Sequence, residues 1–235
     1  MLDQQLFEEI LSTYNLDAQT KEKFFAYATA VINANKQLNL TRITETKDMA
    51  VNHFLDSLYP VLLGKIKKED KMIDVGTGAG FPGVPLAIYF ESETTLLDAT
   101  EKKIRFIAET CTALDIAVHP LWGRAEELGQ AREHREQYDV AVSRAVAHLP
   151  VLLELLAPFV KIGGTIIAYK GKNAEKEAEE ASFAAMELGL QLEELAAMKR
   201  KENEYQYIIY RKTKTLPLKY PRKYATIKKT PLLKK

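Results

Sequence analysis

Glycines at three alternate positions form the stretch of the sequence best suited to holding a ligand. Gly76, Gly78 and Gly80 follow an apolar run at 72–75, which predicts a buried parallel strand. Prolines just after the turn predict the start of a helix. Proline has no backbone N–H group, and at a helix start that group would have no partner within the helix. Glycine lets a backbone turn approach a ligand closely. This strand–turn–helix unit is how doubly wound α/β folds bind an adenosine-containing cofactor.

The spacing of the glycines excludes two classes of phosphate-binding turn. A dinucleotide fingerprint needs a third glycine three residues after the second, where this chain has Phe81. No Gly-Lys-Ser/Thr follows, which excludes a P-loop. What remains is an acid, Asp74, followed by G-x-G-x-G, a pattern typical of class I methyltransferases that bind S-adenosylmethionine. The cationic groups of that molecule favour a nearby carboxylate, which would repel a pyrophosphate.

A second carboxylate follows at the end of the next apolar run. Asp98 lies 22 residues after Gly76 and is placed to accept hydrogen bonds from ribose hydroxyls, as in NAD enzymes. It therefore keeps an NAD(P)-dependent oxidoreductase open as an alternative, although Phe81 and Asp74 count against one. The glycines could also serve only a tight turn in an α/β protein.

Length and composition limit the class of protein. A chain of 235 residues can hold one α/β domain with an extension. Its single cysteine excludes a disulfide framework and a multi-cysteine metal site, and fits a reducing cytoplasm. No signal peptide or apolar run of membrane-spanning length is found in the sequence. We therefore expect a cytoplasmic protein, a monomer, with neither a metal nor a membrane partner.

Charge is distributed unevenly along the chain. Residues 211–235 hold ten Lys and Arg and no acid, which leaves 23 bases against 32 acids in residues 1–210. A basic tail on an acidic body suggests an RNA partner, and Tyr220 and Tyr224 could stack on bases. The alternative is a disordered tail that only solubilises the protein.

Hydrophobic periodicity predicts helices first and a strand–helix alternation afterwards. Three helices are expected at 3–14, 17–38 and 46–63, the last two capped by Asp17 and Thr46. Strands are predicted at 72–75, 94–98, 118–122, 138–142, 165–169, 190–198 and 204–211, with helices at 82–90, 100–114, 149–159 and 173–188. The alternation implies a parallel sheet with right-handed crossovers.

The predicted fold is α/β, a Rossmann-like class I S-adenosylmethionine-dependent methyltransferase. It would have a seven-stranded, mostly parallel sheet that ends in a hairpin. The predicted division is an N-terminal helical extension at 1–70, the methyltransferase domain at 71–212 and a basic C-terminal tail at 213–235.

Ligands of such sheets lie outside the carboxyl ends of the strands. After the third strand, Gly123–Glu126 would offer a backbone N–H and a carboxylate to an adenine edge. Arg144, after the fourth strand, lies where methyl donor and acceptor should meet, although a surface salt bridge is the plainer interpretation. Lys170 ends the fifth strand.

The residues needed for two kinds of methyl acceptor are missing. A pyrimidine C5 requires a cysteine nucleophile, and Cys111 falls on the apolar stripe of the predicted helix 100–114. Exocyclic amines usually accompany an Asn/Asp-Pro-Pro-Tyr/Phe loop, where this chain has residues 143–146, Ser-Arg-Ala-Val. Guanine N7 carries an in-plane lone pair and needs only alignment and electrostatic placement. Because N7 lies in the deep groove of A-form RNA, the base must be in a loop or extruded.

With these residues in place, the chain resembles the bacterial 16S rRNA guanine-N7 methyltransferases. This family is also called small-subunit rRNA methyltransferase G or glucose-inhibited division protein B. The matching segments are 38–41, 53–58, 74–85, 97–98 with Lys103, 123–127, 143–145 and 170–171. The resemblance implies methylation of one guanine N7 in the decoding region, with S-adenosylmethionine as cofactor and 16S rRNA or the small ribosomal subunit as partner.

Candidate site residues follow from the motifs together with the resemblance. Catalysis is assigned to Arg144, His53 and Lys170, although a lone helical histidine is more often structural. Cofactor binding is assigned to Asp74, Gly76, Thr77, Gly78, Gly80, Phe81, Asp98, Ala125, Glu126 and Arg144. RNA contacts are assigned to Asn39, Arg42, Arg124, Ser143, Arg222 and Lys223. A non-catalytic RNA-binding protein with this fold remains the second alternative.

Overall fold

The computed structural model describes residues 1–12, 14–200 and 203–234, so Lys235 of the predicted tail lies outside it. The chain forms two compact units, each built from two stretches. Unit 1 comprises Met1–Glu69 and Thr77–Trp122, and unit 2 comprises Asp70–Gly76 and Gly123–Lys235. The three-part division at 1–70, 71–212 and 213–235 follows chain order instead, and it stays a prediction.

Acidic caps fix the starts of the first two helices of unit 1. The Asp3 side chain accepts the Leu6 N–H at 3.0 Å at the start of α1 (Gln4–Leu11). Asp17 accepts the Thr20 N–H at 2.7 Å at the start of α2 (Ala18–Leu38). Such bonds satisfy N–H groups that a helix leaves unpaired. The predicted cap at Asp17 is confirmed.

The third predicted helix forms with two differences. Its predicted cap, Thr46, is wrong, because Glu45 takes the cap position and the Thr46 hydroxyl instead accepts the Asp3 N–H at 2.9 Å. The helix also changes its winding along its length: α3 (Thr46–Met49), a π-helical segment (Ala50–Leu55) and α4 (Asp56–Leu62). Single π turns inside helices are frequent at functional sites, and this one carries His53.

An aromatic cluster connects these helices to the glycine turn. Phe7, Phe24 and Phe54 are fully buried, and the Phe54 ring centroid lies 5.4 Å from Phe7 and 4.9 Å from Phe24. Phe54 also meets Phe81 of the turn edge to face at 5.3 Å. Each such pair contributes about 0.5–1.5 kcal/mol beyond its buried area. The helices of unit 1 therefore form a rigid backing for the turn.

The rest of unit 1 alternates helices and strands as predicted: α5 (Gly83–Phe90), β2 (Thr94–Asp98), α6 (Glu101–Ala113) and β3 (Val118–Trp122). β2 and β3 are parallel, with Asp98 paired to Trp122 at their carboxyl ends. Cys111 of α6 is buried, and burial raises the pKa of its thiol to about 12. The thiol therefore stays protonated, which confirms its assignment to packing.

Unit 2 contains the remaining strands and helices. They are β1 (Met72–Val75), α7 (Ala125–Leu128), β4 (Tyr138–Arg144), α8 (Leu149–Leu156), β5 (Val160–Lys170), α9 (Ala174–Glu180), α10 (Ser182–Glu187), β6 (Leu190–Arg200), β7 (Asn203–Lys212) and α11 (Tyr224–Lys229). β1, β4 and β5 are parallel, whereas β7 runs antiparallel to both β5 and β6. The seven-stranded sheet has the order β3-β2-β1-β4-β5-β7-β6. The predicted fold class is confirmed.

Three predicted boundaries in unit 2 are wrong. β4 continues through Ser143 and Arg144, because both pair with β5. β5 begins at Val160 and includes two glycines that had been placed before the strand. The single helix predicted at 173–188 is two helices that meet at Ala181. Apolar periodicity continues across that junction, so the sequence alone did not show it.

The C-terminal segment, 213–234, is packed against unit 2 and is not a free arm. Tyr220 is 3% exposed, so the prediction that it stacks on RNA bases is wrong. The segment is held by Arg222, whose backbone N–H, Nε and Nη2 donate to the carboxylate of Glu154 at 2.9, 2.8 and 2.6 Å. Glu154 lies in α8 and is fully buried. The hydrogen bond to this carboxylate raises the pKa of Arg222 above its usual value.

We predict that Arg222→Ala destabilises the protein by about 3 kcal/mol, because it leaves a buried carboxylate without its cation. Urea denaturation measures the free energy of unfolding. The neighbouring exposed Lys223→Ala is the matched control and should change that energy by less than about 0.5 kcal/mol. Equal stability of the two variants would show that the ion pair does not hold the segment.

Candidate active site

The part of the glycine turn that belongs to unit 1, from Thr77 onward, is held by backbone hydrogen bonds. The Thr77 carbonyl accepts the N–H groups of Gly80 and Phe81 at 2.9 and 3.0 Å, and the Thr77 N–H donates to the Leu97 carbonyl at 3.0 Å. The three glycines Gly76, Gly78 and Gly80 have φ angles of 75°, 61° and 88°. Residues with a side chain rarely adopt this left-handed region of φ. The turn therefore needs glycine for its conformation.

Gly80 is also required because a buried side chain touches it. A Cβ at this position would collide with the Tyr27 hydroxyl and lie 2.6 Å from Val84 Cγ2. Tyr27 comes from α2, is fully buried, and donates its hydroxyl proton to the Ala79 carbonyl at 2.9 Å. Sequence analysis missed Tyr27, since neither its spacing nor its neighbours mark a contact 52 residues away.

Asp98 fixes the turn from the end of β2. Its Oδ2 accepts the Gly78 N–H at 3.0 Å, and its Oδ1 accepts the Thr100 N–H at 2.8 Å. Lys103 Nζ lies 4.0 Å from Oδ2. An ionised carboxylate has about four acceptor positions, so two backbone bonds leave capacity for a diol. The predicted contact with a ribose is compatible with this geometry and stays a prediction.

His53 stacks on the turn. Its ring lies 4.3 Å from that of Phe81 with an interplanar angle of 11°, and Phe81 is 4% exposed. His53 Nε2 is 2.9 Å from Thr41 Oγ1, which also accepts the Ile43 N–H at 3.0 Å. The π-helical segment thus directs an imidazole between Phe81 and the loop that contains Thr41.

That loop, residues 39–42, is shaped by Asn35. The Asn35 amide donates to the Thr41 carbonyl and accepts the Thr41 N–H, both at 2.9 Å. α2 ends at Leu38, and the cap residue Asn39 that follows is in the left-handed conformation, with φ 50°. Asn39 and Arg42, the two predicted RNA contacts in this loop, are both exposed. The structure therefore places them on a fixed, accessible loop connected through Thr41 to His53.

Ser143 and Asp74 lie at the carboxyl ends of β4 and β1 in unit 2. Asp74 is fully buried and pairs with Val142 across the strands. Ser143 is also fully buried, and its hydroxyl donates to the Val75 carbonyl at 2.7 Å. Its burial and this bond count against the predicted RNA contact of Ser143, which stays a prediction.

Arg144 is the last residue of β4 and is partly exposed. Ala145 follows with a φ of 57°, which is uncommon for a residue with a side chain. This conformation turns the chain sharply, and the next side chain, Val146, occupies the space where a Cβ on Gly76 would lie. The segment after β4 and the first glycine are therefore matched in shape within unit 2.

Lys170 holds the same segment from β5. Its ammonium group donates to the Ala147 carbonyl and to Glu177 Oε2, both at 2.7 Å. The same Glu177 oxygen accepts the Leu149 N–H at 2.9 Å. The Lys170 side chain is 10% exposed. These bonds hold the segment after β4 in place, and the catalytic role of Lys170 stays a prediction.

The loop after β3 places the next candidates at the start of α7. Arg124 Nε donates to Glu126 Oε1 at 3.0 Å, and the Arg124 guanidinium lies 4.7 Å from the ring centroid of Tyr224. Ala125 and Glu126 are partly exposed. Of the two remaining predicted RNA contacts, Lys223 is exposed, whereas the Arg222 guanidinium donates hydrogen bonds to the Glu154 carboxylate.

Comparison with known proteins decides the family. A family model described as rRNA small subunit methyltransferase G matches residues 20–206. The chain belongs to this family. It is 43% identical over 215 residues to the ribosomal RNA small subunit methyltransferase G of Thermoanaerobacter sp. (strain X514), covering 90% of each chain. It is 41% identical over 223 residues to the protein of the same name from Alkaliphilus metalliredigens, covering 93% of each.

Solved structures resemble the chain in fold. A putative sarcosine dimethylglycine methyltransferase from Galdieria sulphuraria superposes with a TM-score of 0.56 at 10% identity, covering 82% of this chain and 100% of that one. NSun6 from Pyrococcus horikoshii gives a TM-score of 0.55 at 14% identity, covering 68% and 52%. The family predicted from the sequence is confirmed, and the comparisons give no support to an oxidoreductase.

The cofactor of this methyltransferase family is S-adenosylmethionine, and the residues present fit it. Unit 1 supplies the closed glycine turn with Asp98, whose carboxylate has acceptor capacity left. Carboxylates favour a cationic ligand. Among the described residues, no group of three or more His, Cys, Asp or Glu could hold a metal ion.

None of the helices in the described part of the chain is both long and apolar enough to cross a bilayer.

We predict that Gly80→Ala destabilises the protein by about 3 kcal/mol, since it combines backbone strain with a collision against Tyr27 and Val84. It should also weaken S-adenosylmethionine binding in calorimetric titrations. Gly64→Ala is the matched control, because Gly64 has a φ of 66° but no atom within 4 Å of an added Cβ. It should cost only the backbone strain, about 1 kcal/mol. Equal losses in both variants would contradict the role of Tyr27.

Proposed function

We propose that this protein transfers a methyl group from S-adenosylmethionine to N7 of a guanine in 16S rRNA, acting as a monomer in the cytoplasm. The observation that carries the proposal is the composition of the chain where β4 ends. Arg144, Ala145 and Val146 stand where amine methyltransferases usually carry an Asn/Asp-Pro-Pro-Tyr/Phe motif. Cys111, the chain's one thiol, is buried and protonated, so C5 chemistry lacks its nucleophile.

The reaction requires little acid–base chemistry from the protein. When bound, S-adenosylmethionine supplies an electrophilic methyl group, and guanine N7 offers a lone pair with no proton to lose. The protein must then align the acceptor and exclude water. This agrees with the contacts of His53 and Lys170, whose polar atoms are bonded to Thr41, Ala147 and Glu177.

Arg144 is the residue proposed to orient the guanine. Its guanidinium can donate a hydrogen bond to guanine O6. N7 must not accept a hydrogen bond, because its lone pair receives the methyl group. Its position, at the carboxyl end of β4 and before the sharp turn at Ala145, is where ligands of parallel sheets lie. His53 and Lys170 are proposed as positioning residues that hold Phe81 and the segment after β4.

RNA contacts are proposed for exposed or partly exposed residues in each unit. Unit 1 offers Asn39 and Arg42, and unit 2 offers Arg124 and the exposed lysines Lys223, Lys228 and Lys229. Ser143 and Arg222 are left out of the proposal, because Ser143 is fully buried and Arg222 donates to Glu154. Because N7 is inaccessible in an A-form helix, the target guanine is expected in a loop or extruded from one.

Transfer of a labelled methyl group tests the proposed function. The protein should methylate 16S rRNA, naked or within 30S subunits, and mapping should locate one N7-methylguanosine. A label on an exocyclic amine or on a pyrimidine would contradict the proposed acceptor. Binding of rRNA without any transfer would favour the non-catalytic alternative.

We predict that Arg144→Ala lowers kcat/KM for methyl transfer by about 100-fold, because a misplaced acceptor loses its alignment. The melting temperature should stay nearly unchanged, since Arg144 is partly exposed. Arg132→Ala, which removes an exposed arginine of the same unit, is the control and should keep full activity. Unchanged turnover in Arg144→Ala would show that the acceptor lies elsewhere.

We predict that replacing Lys223, Lys228 and Lys229 together by alanine weakens RNA binding and reduces its salt dependence. If each contacts one phosphate of single-stranded RNA, the log–log slope should fall by about 2. Filter binding over a range of salt concentrations measures the slope. Because these side chains are exposed, the substitutions leave the packed segment intact, which truncation would not. An identical slope in the triple variant would exclude this face of α11 from the RNA interface.

A further inference from the structure

The C-terminal segment carries a contact that its positive charge does not explain. α11 has only six residues, and a helix of that length is not stable alone in water. It forms because Ile227, which is fully buried, packs against Val151 and Leu155 of α8. The helix therefore depends on unit 2 for its existence, and its orientation there is fixed.

Polar contacts hold the chain leading into α11. The Arg135 guanidinium donates to the carbonyls of Tyr220 and Leu216 at 2.9 and 3.0 Å. Gln130 donates to the Pro221 carbonyl at 2.9 Å. Together with the Glu154–Arg222 pair, these bonds bring the segment to α11 along one defined path. These bonds therefore determine the position of Tyr224, the first residue of the helix.

Tyr224 lies where α11 meets the loop after β3. Its side chain packs, together with that of Ala125, against the cluster around Ile227. On the ring of Tyr224 lies the guanidinium of Arg124, 4.7 Å from the centroid. Arg124 in turn donates from Nε to Glu126 Oε1 at 3.0 Å. A continuous set of contacts thus runs from the C-terminal helix to Glu126.

We infer that Tyr224 is a positioning residue for S-adenosylmethionine binding, which fixes the loop 124–126 through Arg124. Nothing in the basic composition of the segment indicates this role. The inference rests on the proposed function and on the contacts with the cofactor that the sequence predicts for Ala125 and Glu126. α11 then has two separate tasks: its buried side supports the cofactor loop, and its exposed lysines face solvent, where RNA can reach them.

The physical reason is preorganisation. Arg124 has a half-exposed side chain, 43% accessible, whereas Glu126 is only 11% accessible. A long exposed arginine loses rotamer freedom when it holds a partner, and a ring beneath the guanidinium limits that loss. Without the ring, Arg124 would sample other rotamers, and the carboxylate of Glu126 would be released from its orientation.

Full-length variants at Tyr224 test the inference by calorimetric titration with S-adenosylmethionine. Tyr224→Leu keeps an apolar side chain but removes the ring, and should raise the Kd by about threefold to tenfold, within the range of a cation–π contact. Tyr224→Phe keeps the ring and should bind within about twofold of the unaltered protein. Thr226→Ala, at an exposed position on the same helix, is the control and should bind normally.

A double-mutant cycle separates positioning from packing. If Tyr224 acts through Arg124, then Tyr224→Leu should add no further loss of affinity in an Arg124→Gln background. A merely structural role would lower the melting temperature and leave the Kd of the folded protein unchanged. That outcome, or additive losses in the cycle, would overturn the inference while the proposed function stands. No binding of S-adenosylmethionine by the unaltered protein would overturn both.

Discussion

The glycine turn is held by two side chains that are distant from it in sequence. Asp98 accepts the Gly78 N–H, and the Tyr27 hydroxyl donates to the Ala79 carbonyl. Backbone polar groups in a buried turn must find partners, so these two bonds determine which other groups of the turn can point toward a ligand. Both bonds are made by side chains of unit 1 itself. A turn held in this way by its own chain is preorganised, which lowers the cost of binding a ligand.

The candidate catalytic side chains also hold the backbone in place. His53 and Lys170 have the chemistry to transfer protons, yet the hydrogen bonds they make hold loops in place. An acceptor that loses no proton has no need of a base, so a site built from alignment is physically sufficient for guanine N7. The features proposed to supply that alignment lie at the strand ends, where Ala145 is left-handed and Ser143 is fully buried.

The sequence predicted those features of the fold that depend on neighbouring residues. The strands at 72–75, 94–98 and 118–122 appear where apolar runs placed them, and Asp98 was found because it ends such a run. Tyr27 could not be found, because tertiary packing alone brings its hydroxyl to the turn. The C-terminal segment was mistaken for an arm because composition counts Arg222 as a charge, whereas its partner Glu154 lies 68 residues earlier in a helix that is otherwise apolar. The burial of Ser143 was not predicted for the same reason, since its hydroxyl donates to the carbonyl of Val75, 68 residues earlier.

Amide hydrogen exchange of residues 76–81 tests the central claim most directly, since it observes the turn itself. S-adenosylhomocysteine should slow exchange in this segment strongly, and NADH at the same concentration should leave it unchanged. Protection by NADH, or no protection by S-adenosylhomocysteine, would contradict the assignment of the turn to a sulfonium cofactor.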